Sequence, residues 1–318
     1  MALRVGYIRE QFASPLLQFA EEDRGRTFTL VECPSGTGQV ISRLTNNEVD
    51  VAIALTDPLL AGIAKGSAAY KLVGSYVTTP LNWAVITSSK SKHKKIEDLR
   101  GTTLGISRIG SGSHVMAYVM AQQQGWLDTK TNQVEEMAFQ VNNNIEGLVR
   151  SVNDGSTSAF MWEWFTTKPW ADRGDVRFID SVPTPWPSWM IAAQTKDPSE
   201  SEPFDFLVSN WLESLTVYIN RFTTADTAIQ VKYIKDTFGY KEEDIRSWLI
   251  TVAWTLKAKD IRESVLTHTL DVLHSANVIP ASYTASYSHY INTTVANIIL
   301  TANELANASK YAMMSMLE

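Results

Sequence analysis

Residues 1–90 alternate short β-rich runs with helical patterns, and this alternation limits the fold more than any other feature of the chain. Residues 49–55 form a nearly continuous apolar run, which is typical of a parallel strand covered on both faces. Ser14-Pro15 and Asp57-Pro58 each place a capping residue before a proline, a combination that favours the first turn of a helix. The pattern predicts an α/β fold in which crossover helices cover a parallel sheet.

A second α/β unit follows the polar and basic connection at residues 88–95 and extends to about residue 190. From about Phe204 onward the apolar residues recur at helical spacing alone, which predicts a helical C-terminal extension. Residues 283–317 contain no glycine or proline and predict one long amphipathic helix. Two roles are open for this helix: packing on the body of the protein, or forming the interface of a homodimer.

Length and charge restrict the classes of function. A chain of 318 residues has room for about two domains. Lys and Arg number 28 against 34 Asp and Glu, a formal net charge of −6, and there is no basic block to neutralise phosphates, so we expect no nucleic-acid partner. No window approaches the ~20 apolar residues of a membrane span. A single cysteine, Cys33, and no signal-like stretch near the N-terminus favour a cytoplasmic protein.

Two predicted strand-to-helix turns have the composition of ligand-binding loops, CPSGTGQ at residues 33–39 and SRIGSGSH at residues 107–114. Each places small residues at a helix N-terminus, where unpaired N–H groups and the helix dipole attract a carboxylate, sulfonate or phosphate. Each also lies at the carboxyl end of a strand, where open α/β sheets bind their ligands. Neither turn matches the P-loop or the dinucleotide-binding glycine motif. A simple tight turn is the alternative for either one.

Tryptophans are concentrated in one part of the chain, since five of the ten lie within residues 162–189. Most indole rings pack in protein cores, and core packing is the alternative for each of these. Trp162 follows a strand end and precedes the charged Glu163, while Trp186 lies in the stiff loop PTPWP at residues 183–187. We therefore predict that Trp162 and Trp186 contact a ligand.

Signals of catalysis are weak. Cys33 is either a thiolate activated by a helix N-terminus or a small buried residue. Ser111, Ser113 and His114 have the residue types of a nucleophile and base, but no acid is evident to orient the histidine, so ligand contact is the better interpretation. Histidines and cysteines do not cluster at metal-binding spacing. We assign no catalytic residue, metal ligand or cofactor.

Three motifs carry a family resemblance: LTNNEVDVAIA at residues 44–54, IEDLRGTTLGI at residues 96–106 and GSGS at residues 110–113. In this order and spacing they resemble type II periplasmic binding proteins. The similarity is to the branch that holds the sulfonate- and taurine-binding proteins and the fungal thiamine-pyrimidine synthases, and most of all to a fungal cytosolic periplasmic-binding-protein-like group of unassigned function.

The resemblance implies two α/β lobes joined by a pair of crossing strands, with the ligand between them. The first lobe comprises residues 1–87 and 191–318, and the second comprises residues 88–190, which predicts a hinge at the crossings near residues 77–88 and 182–195. The resemblance implies a cleft lined by residues 7–10, 35–39, 56–57, 80–83, 110–114 and 162–163. Together the two turns, the proline-rich loop and the resemblance give one set of candidate ligand contacts: Tyr7, Arg9, Glu10, Ser35, Gly36, Thr37, Gly38, Thr56, Asp57, Asn82, Trp83, Arg108, Gly110, Ser111, Gly112, Ser113, His114, Trp162, Glu163 and Trp186.

The preferred hypothesis is a binder of a small polar metabolite whose lobes close over the ligand. Because the candidate contacts include both arginines and carboxylates, an amphoteric ligand such as an amino acid, an amino-pyrimidine or a taurine-like compound fits best. The competing hypothesis is an enzyme of the thiamine-pyrimidine-synthase or desulfinase type with Cys33 or His114 as the reactive group. A third hypothesis is an interaction module that uses the C-terminal helix.

Overall fold

The computed structural model describes residues 2–284 and 286–300 of the chain. Its strands are β1 (Leu3–Tyr7), β2 (Phe28–Glu32), β3 (Val51–Leu55), β4 (Tyr70–Val77), β5 (Asn82–Ser88), β6 (Thr103–Ile106), β7 (Ala138–Val141), β8 (Ala159–Glu163), β9 (Val176–Pro183), β10 (Trp189–Gln194), β11 (Asp260–Arg262) and β12 (Asn297–Ile299). Its α-helices are α1 (Ser14–Asp23), α2 (Thr37–Thr45), α3 (Thr56–Ala64), α4 (Gly112–Gln123), α5 (Ile145–Asp154), α6 (Trp164–Asp172), α7 (Pro198–Thr224), α8 (Thr227–Phe238), α9 (Glu242–Leu249), α10 (Glu263–Ser275) and α11 (Tyr287–Tyr290). Short 3₁₀ helices lie at Gln11–Ala13 and Ile96–Leu99.

The first sheet has the strand order β2-β1-β3-β10-β4. Strand β1 is parallel to β2 and β3, whereas β10 is antiparallel to both β3 and β4. Strand β3 is buried over its whole length, as its continuous apolar run requires. The predicted α/β class with a mostly parallel sheet and crossover helices is confirmed.

The second sheet has the order β7-β6-β8-β5-β9, with β6 parallel to β7 and β8. Strand β5 runs antiparallel to β8 and β9, so residues 82–88 belong to this sheet. The sequence predicts that residues 82–87 belong to the first lobe, and this prediction is wrong because their strand pairs within the second sheet. A β-rich run gives no sign of which strands it will pair with, because the partners of β5 lie more than seventy residues further along the chain.

Within residues 2–284 and 286–300 the chain passes between the two sheets at residues 78–81 and again at residues 184–188. The two crossings are hydrogen bonded to each other. Thr184 N donates to the Leu81 carbonyl at 2.9 Å, and Ser188 N donates to the Thr79 carbonyl at 3.0 Å. They therefore lie side by side within the segments where the sequence predicts a hinge.

The C-terminal helices extend the body formed by the first sheet. Helix α7 packs along α1, where the Phe19 and Tyr218 rings stack with centroids 4.6 Å apart and Trp211 meets Phe28 edge-on at 5.8 Å. Among the described helices, none combines the length and apolar character needed to cross a bilayer.

The predicted single helix over residues 283–317 is wrong in the part that can be compared. Residues 283–300 hold only α11 and β12, and the remainder of the predicted helix lies outside the described residues. Local polar contacts compete with helix formation here, because Asn292 Oδ1 accepts from Thr294 N at 3.1 Å and from Thr294 Oγ1 at 2.6 Å. Strand β12 instead pairs in parallel with β11.

Candidate functional site

A cavity lies where the carboxyl ends of the central strands of both sheets meet. Candidate contacts from the sequence that line it are Glu10, Gly36, Thr37, Trp83, Ser111, Gly112, Ser113, Trp162 and Glu163. Ile8 and Leu81, which lie in the stretches 7–10 and 80–83 that the resemblance implies, also line it. Three further lining residues were not among the predicted contacts: Leu55, Ser107 and Trp189. The cavity has a volume of about 30 Å³, well below the ~300–1,000 Å³ of small-molecule pockets. The two sheets therefore approach each other closely around it.

Two helix N-termini, one on each side, form part of the cavity wall. Helix α2 begins at Thr37, directly after Gly36, whose φ of 77° is a left-handed conformation that favours glycine. Helix α4 begins at Gly112, directly after Ser111. The first N–H groups of each helix have no partner within the helix, and both dipoles place positive charge toward the cavity. This part of the wall suits an anionic group.

Serine hydroxyls surround the start of α4. Ser113 Oγ accepts a hydrogen bond from Ser107 N at 3.0 Å and lies 2.9 Å from Ser111 Oγ. All three serines are buried. Because a hydroxyl can rotate to donate or accept, this cluster can match several orientations of a polar ligand.

Two indole N–H groups in the cavity wall lack a hydrogen-bond partner among the described residues. They belong to Trp83 and Trp189, each 3% exposed. Leaving a buried donor unpaired costs free energy, so such groups mark places where a bound acceptor can be held.

Two buried carboxyl groups, Glu10 and Glu163, also line the cavity. Trp162 Nε1 donates to Glu10 Oε1 at 3.0 Å, and Gln11 Nε2 donates to Glu163 Oε2 at 3.1 Å. Burial, followed by the charge of Glu163, raises the pKa of Glu10 to about 8. Burial also raises the pKa of Glu163, although hydrogen bonds from Thr166 oppose the shift. The pair therefore retains a proton at neutral pH.

The proline-rich loop lies beside α3 and outside the cavity lining. Trp186 is 1% exposed, and its Nε1 donates to Asp57 Oδ1 at 3.3 Å, while Thr56 Oγ1 donates to the Pro187 carbonyl at 2.6 Å. Burial raises the pKa of Asp57 to about 7. Trp186, Thr56 and Asp57 therefore hold the second crossing against the first sheet, and the structure does not bring them to the cavity wall.

The reactive groups of the enzyme hypothesis are absent from the described cavity lining. His114 Nδ1 accepts from Gly110 N at 3.1 Å, and its ring packs edge-on to Tyr118 and Phe139. Burial lowers the pKa of His114 to about 4, so the ring is neutral near pH 7. Cys33 is fully buried, and burial raises the pKa of its thiol. Neither residue is placed to attack a molecule in the cavity.

The remaining candidate residues also lie outside the cavity lining. Arg9 is exposed and lies over the Phe238 ring, 5.8 Å from its centroid. Arg108 packs against Gly38, where a Cβ would lie 3.2 Å from the Arg108 Cβ. The other five also lie outside the lining: Tyr7, which is buried; Ser35, whose N–H donates to Gln39; Gly38; Asn82, which pairs with Pro183 in the second sheet; and Gly110, whose N–H donates to His114. Arg9 and Arg108 are therefore not among the residues that line the cavity, although the sequence predicts both as ligand contacts.

The missed lining residues differ in how far the sequence signals them. Ser107 opens the second turn, and Trp189 belongs to the tryptophan-rich segment, so both carried a signal. Leu55 is an apolar residue at a strand end, and its residue type does not distinguish it from core. Across residues 2–284 and 286–300, the His, Cys, Asp and Glu side chains form no group of three that would hold a metal ion.

Comparison with known proteins places these features in a family. A profile described as "Ca3427-like PBP" matches residues 83–182. The Candida albicans CA3427 gene product, described as having the generic periplasmic binding protein fold, is 30% identical, with a TM-score of 0.80 over 95% of this chain and 99% of that chain. The alkanesulfonate-binding protein SsuA of Xanthomonas axonopodis pv. citri, bound to MOPS, has 16% identity and a TM-score of 0.70 over 94% of this chain and 98% of that one.

The aliphatic sulphonate binding protein SsuA of Escherichia coli has 16% identity and a TM-score of 0.61 over 92% of each chain. A search of curated proteins found no match.

Proposed function

The chain belongs to the Ca3427-like family of proteins with the periplasmic-binding-protein fold. We propose that it binds a small amphoteric solute in the cavity between its two sheets. The observation that carries the proposal is the composition of the cavity lining. Residues at two helix N-termini, two tryptophans with unpaired indole N–H groups and two buried carboxyl residues line the same cavity. A solute with an anionic and a basic group complements both.

The anionic group of the solute would lie at the starts of α2 and α4. There the free backbone N–H groups, the serine hydroxyls and the indole donors of Trp83 and Trp189 supply hydrogen bonds. The related SsuA proteins are described as binding sulfonates, which supports an acidic group of this kind. The basic group would lie toward Glu10 and Glu163.

We propose two lobes, one built on each sheet, that close over the solute about the crossings at residues 78–81 and 184–188. Two adjacent crossings permit a twist, whereas a third would brace the lobes. The small volume of the cavity fits a closed arrangement, so a solute would enter when the lobes are apart. The lobe boundaries then follow the sheets, with residues 82–183 in the second lobe.

A thermal-shift screen tests the binding function. Taurine, amino acids and amino-pyrimidines represent the amphoteric class, and a solute at 100 times its Kd should add about 2.7 kcal/mol to the free energy of unfolding. The variants Trp83→Phe and Trp189→Phe should weaken the response. Trp211→Phe is the matched control, because the Trp211 indole is equally buried and unpaired but packs against Phe19 and Phe28 away from the cavity. No stabilisation by any amphoteric compound would contradict the proposal.

A further inference from the structure

The carboxyl side of the cavity is assembled across the lobe boundary. Glu10 and Gln11 follow β1 of the first sheet, while Trp162 and Glu163 end β8 of the second. The hydrogen bonds are reciprocal: the second-sheet indole donates to Glu10, and the first-sheet amide donates to Glu163. The two carboxyls thus come together only when the lobes are close.

No described cation neutralises this pair. The basic side chains nearest to it in sequence are engaged elsewhere: Arg9 lies over Phe238, and Lys168 pairs with Asp172 and Asp244. The other titratable group that faces both carboxyls is Tyr240, from the segment between α8 and α9, and it is neutral. The neighbours that donate to the pair are the neutral groups Trp162, Gln11 and Thr166.

Buried carboxyls of this kind are stable when they hold a proton or face a cation. We propose that Glu10 and Glu163 form a cation subsite, shared between the lobes, that takes a protonated nitrogen of the solute in exchange for a proton. This inference rests on the proposed function, because the subsite is one wall of the same cavity. The ligand class is a primary ammonium or amidinium group joined to an anionic group.

The exchange balances in charge and protons. With the lobes closed and no solute bound, Glu10 holds a proton; the incoming ammonium replaces it, and the proton leaves to water. Trp83 and Trp162 also line the cavity, and an indole ring face near the bound ammonium would add a cation–π contact. The raised pKa of Glu10, about 8, supports the same picture, since it places the exchange in the neutral range.

The exchange makes binding of a cation depend on pH in a defined direction. Below the pKa of Glu10 a proton competes for the subsite, so the apparent affinity for an ammonium should rise by about tenfold per pH unit until the proton is lost. An anion that binds only at the helix N-termini gains nothing from this competition.

Three probes at about pH 6 and about pH 8 test the subsite by calorimetric titration. Ethylammonium carries the cation alone, isethionate the sulfonate with a hydroxyl, and taurine both charged groups. In the wild type, ethylammonium and taurine should bind more tightly at the higher pH, while isethionate should not. Glu10→Gln and Glu163→Gln should remove the ammonium response and its pH dependence but keep any binding of isethionate.

Glu97→Gln is the control, because Glu97 is an exposed carboxyl outside the cavity lining. It should behave as the wild type. Binding of isethionate without ethylammonium or taurine would overturn the cation subsite and leave the solute-binding function standing. If none of the three probes binds, both the cation subsite and the solute-binding function are contradicted. If ethylammonium binds equally well to Glu10→Gln and to the wild type, the subsite alone is overturned.

Discussion

The two sides of the cavity are built in different ways. The anion-favouring side consists of two local turns, one in each lobe, and each turn contains its own helix start at Thr37 or Gly112. The carboxyl side consists of Glu10 and Glu163, which depend on donors from the opposite lobe. Each turn keeps its own helix start whether or not the lobes are in contact, whereas the carboxyl pair depends on that contact. In the proposed closure, recognition of the basic group and closure of the lobes would therefore be one event.

The largest expected effect comes from Gly112→Ala, which tests whether this cavity depends on close approach of the lobes. A Cβ at Gly112 would meet the Leu55 side chain of the first lobe and lie 2.8 Å from the Trp83 ring of the second. Such overpacking typically costs about 1–3 kcal/mol of stability. The variant should hold the lobes apart, increase the radius of gyration measured by X-ray scattering, and lose solute binding.

Gly62→Ala is the matched control for this effect. Its Cβ would meet the Tyr70 hydroxyl, and both residues belong to the first lobe. It should lower stability by a similar amount without changing the radius of gyration. Equal scattering profiles for Gly112→Ala and the wild type would show that Gly112 does not set the distance between the lobes.

Glu10→Gln tests the carboxyl side through the pH dependence of stability. The folded protein raises the pKa of Glu10 from 4.5 to about 8, so between these values the folded state holds a proton that the unfolded chain releases. Stability of the wild type should therefore fall as pH rises through this window, by up to about 1.4 kcal/mol per pH unit for one proton. Chemical denaturation at several pH values should give a flatter profile for Glu10→Gln. Glu97→Gln, at an exposed carboxyl, should keep the wild-type slope; if Glu10→Gln keeps it as well, Glu10 does not hold the proton.

Trp83→Phe tests the anion-favouring side of the cavity and should have a smaller effect than Glu10→Gln. Removing the indole N–H while keeping an aromatic ring deletes one hydrogen bond to the solute, worth about 0.5–1.5 kcal/mol or roughly a threefold to tenfold loss of affinity. The smaller Phe side chain also leaves a cavity that lowers stability without solute, so the affinity is compared with that of Trp211→Phe, which loses a similar buried ring. Calorimetric titration of whichever compound stabilises the wild type measures the effect, and an unchanged Kd would place the solute away from this indole.

The smallest expected effect concerns a contact between the lobes outside the cavity. Lys168 of α6 pairs with Asp244 of α9 at 3.2 Å, and both side chains are half-buried. Surface ion pairs contribute about 0.2–1 kcal/mol. Lys168→Met should weaken closure slightly at low salt and have no effect at high salt. Lys232→Met, which removes a pair confined to α8, is the control. Salt-independent scattering differences between the two variants would argue against a role for Lys168 in closure.

The sequence predicts the two turns better than the carboxyl pair, because the turns are local and the pair depends on contacts at long range. Local patterns were sufficient for the α/β class, for both turns and for the residues at their helix starts, because turn composition and capping act over a few residues. The contact between Glu10 and Trp162 spans 152 residues, and no local pattern encodes it. Pairing at long range also decided the sheet to which β5 belongs.

Some misplaced residues show how packing overrides composition. His114 stands in a ligand-like turn, yet its ring is taken up by Tyr118 and Phe139. Trp186 stands in a stiff loop, yet it is held by Asp57. Phe139 and Asp57 are distant in the chain from the side chains they contact, and the sequence alone does not indicate such contacts.

Native mass spectrometry of the wild type with an equimolar mixture of amphoteric compounds and matched singly charged compounds tests the central claim most directly. A one-to-one adduct from the amphoteric class is expected, retained in Trp211→Phe and lost in both Gly112→Ala and Glu10→Gln. An adduct that persists in Gly112→Ala, or equal adducts from the singly charged compounds, would contradict binding of an amphoteric solute in the cavity between the lobes.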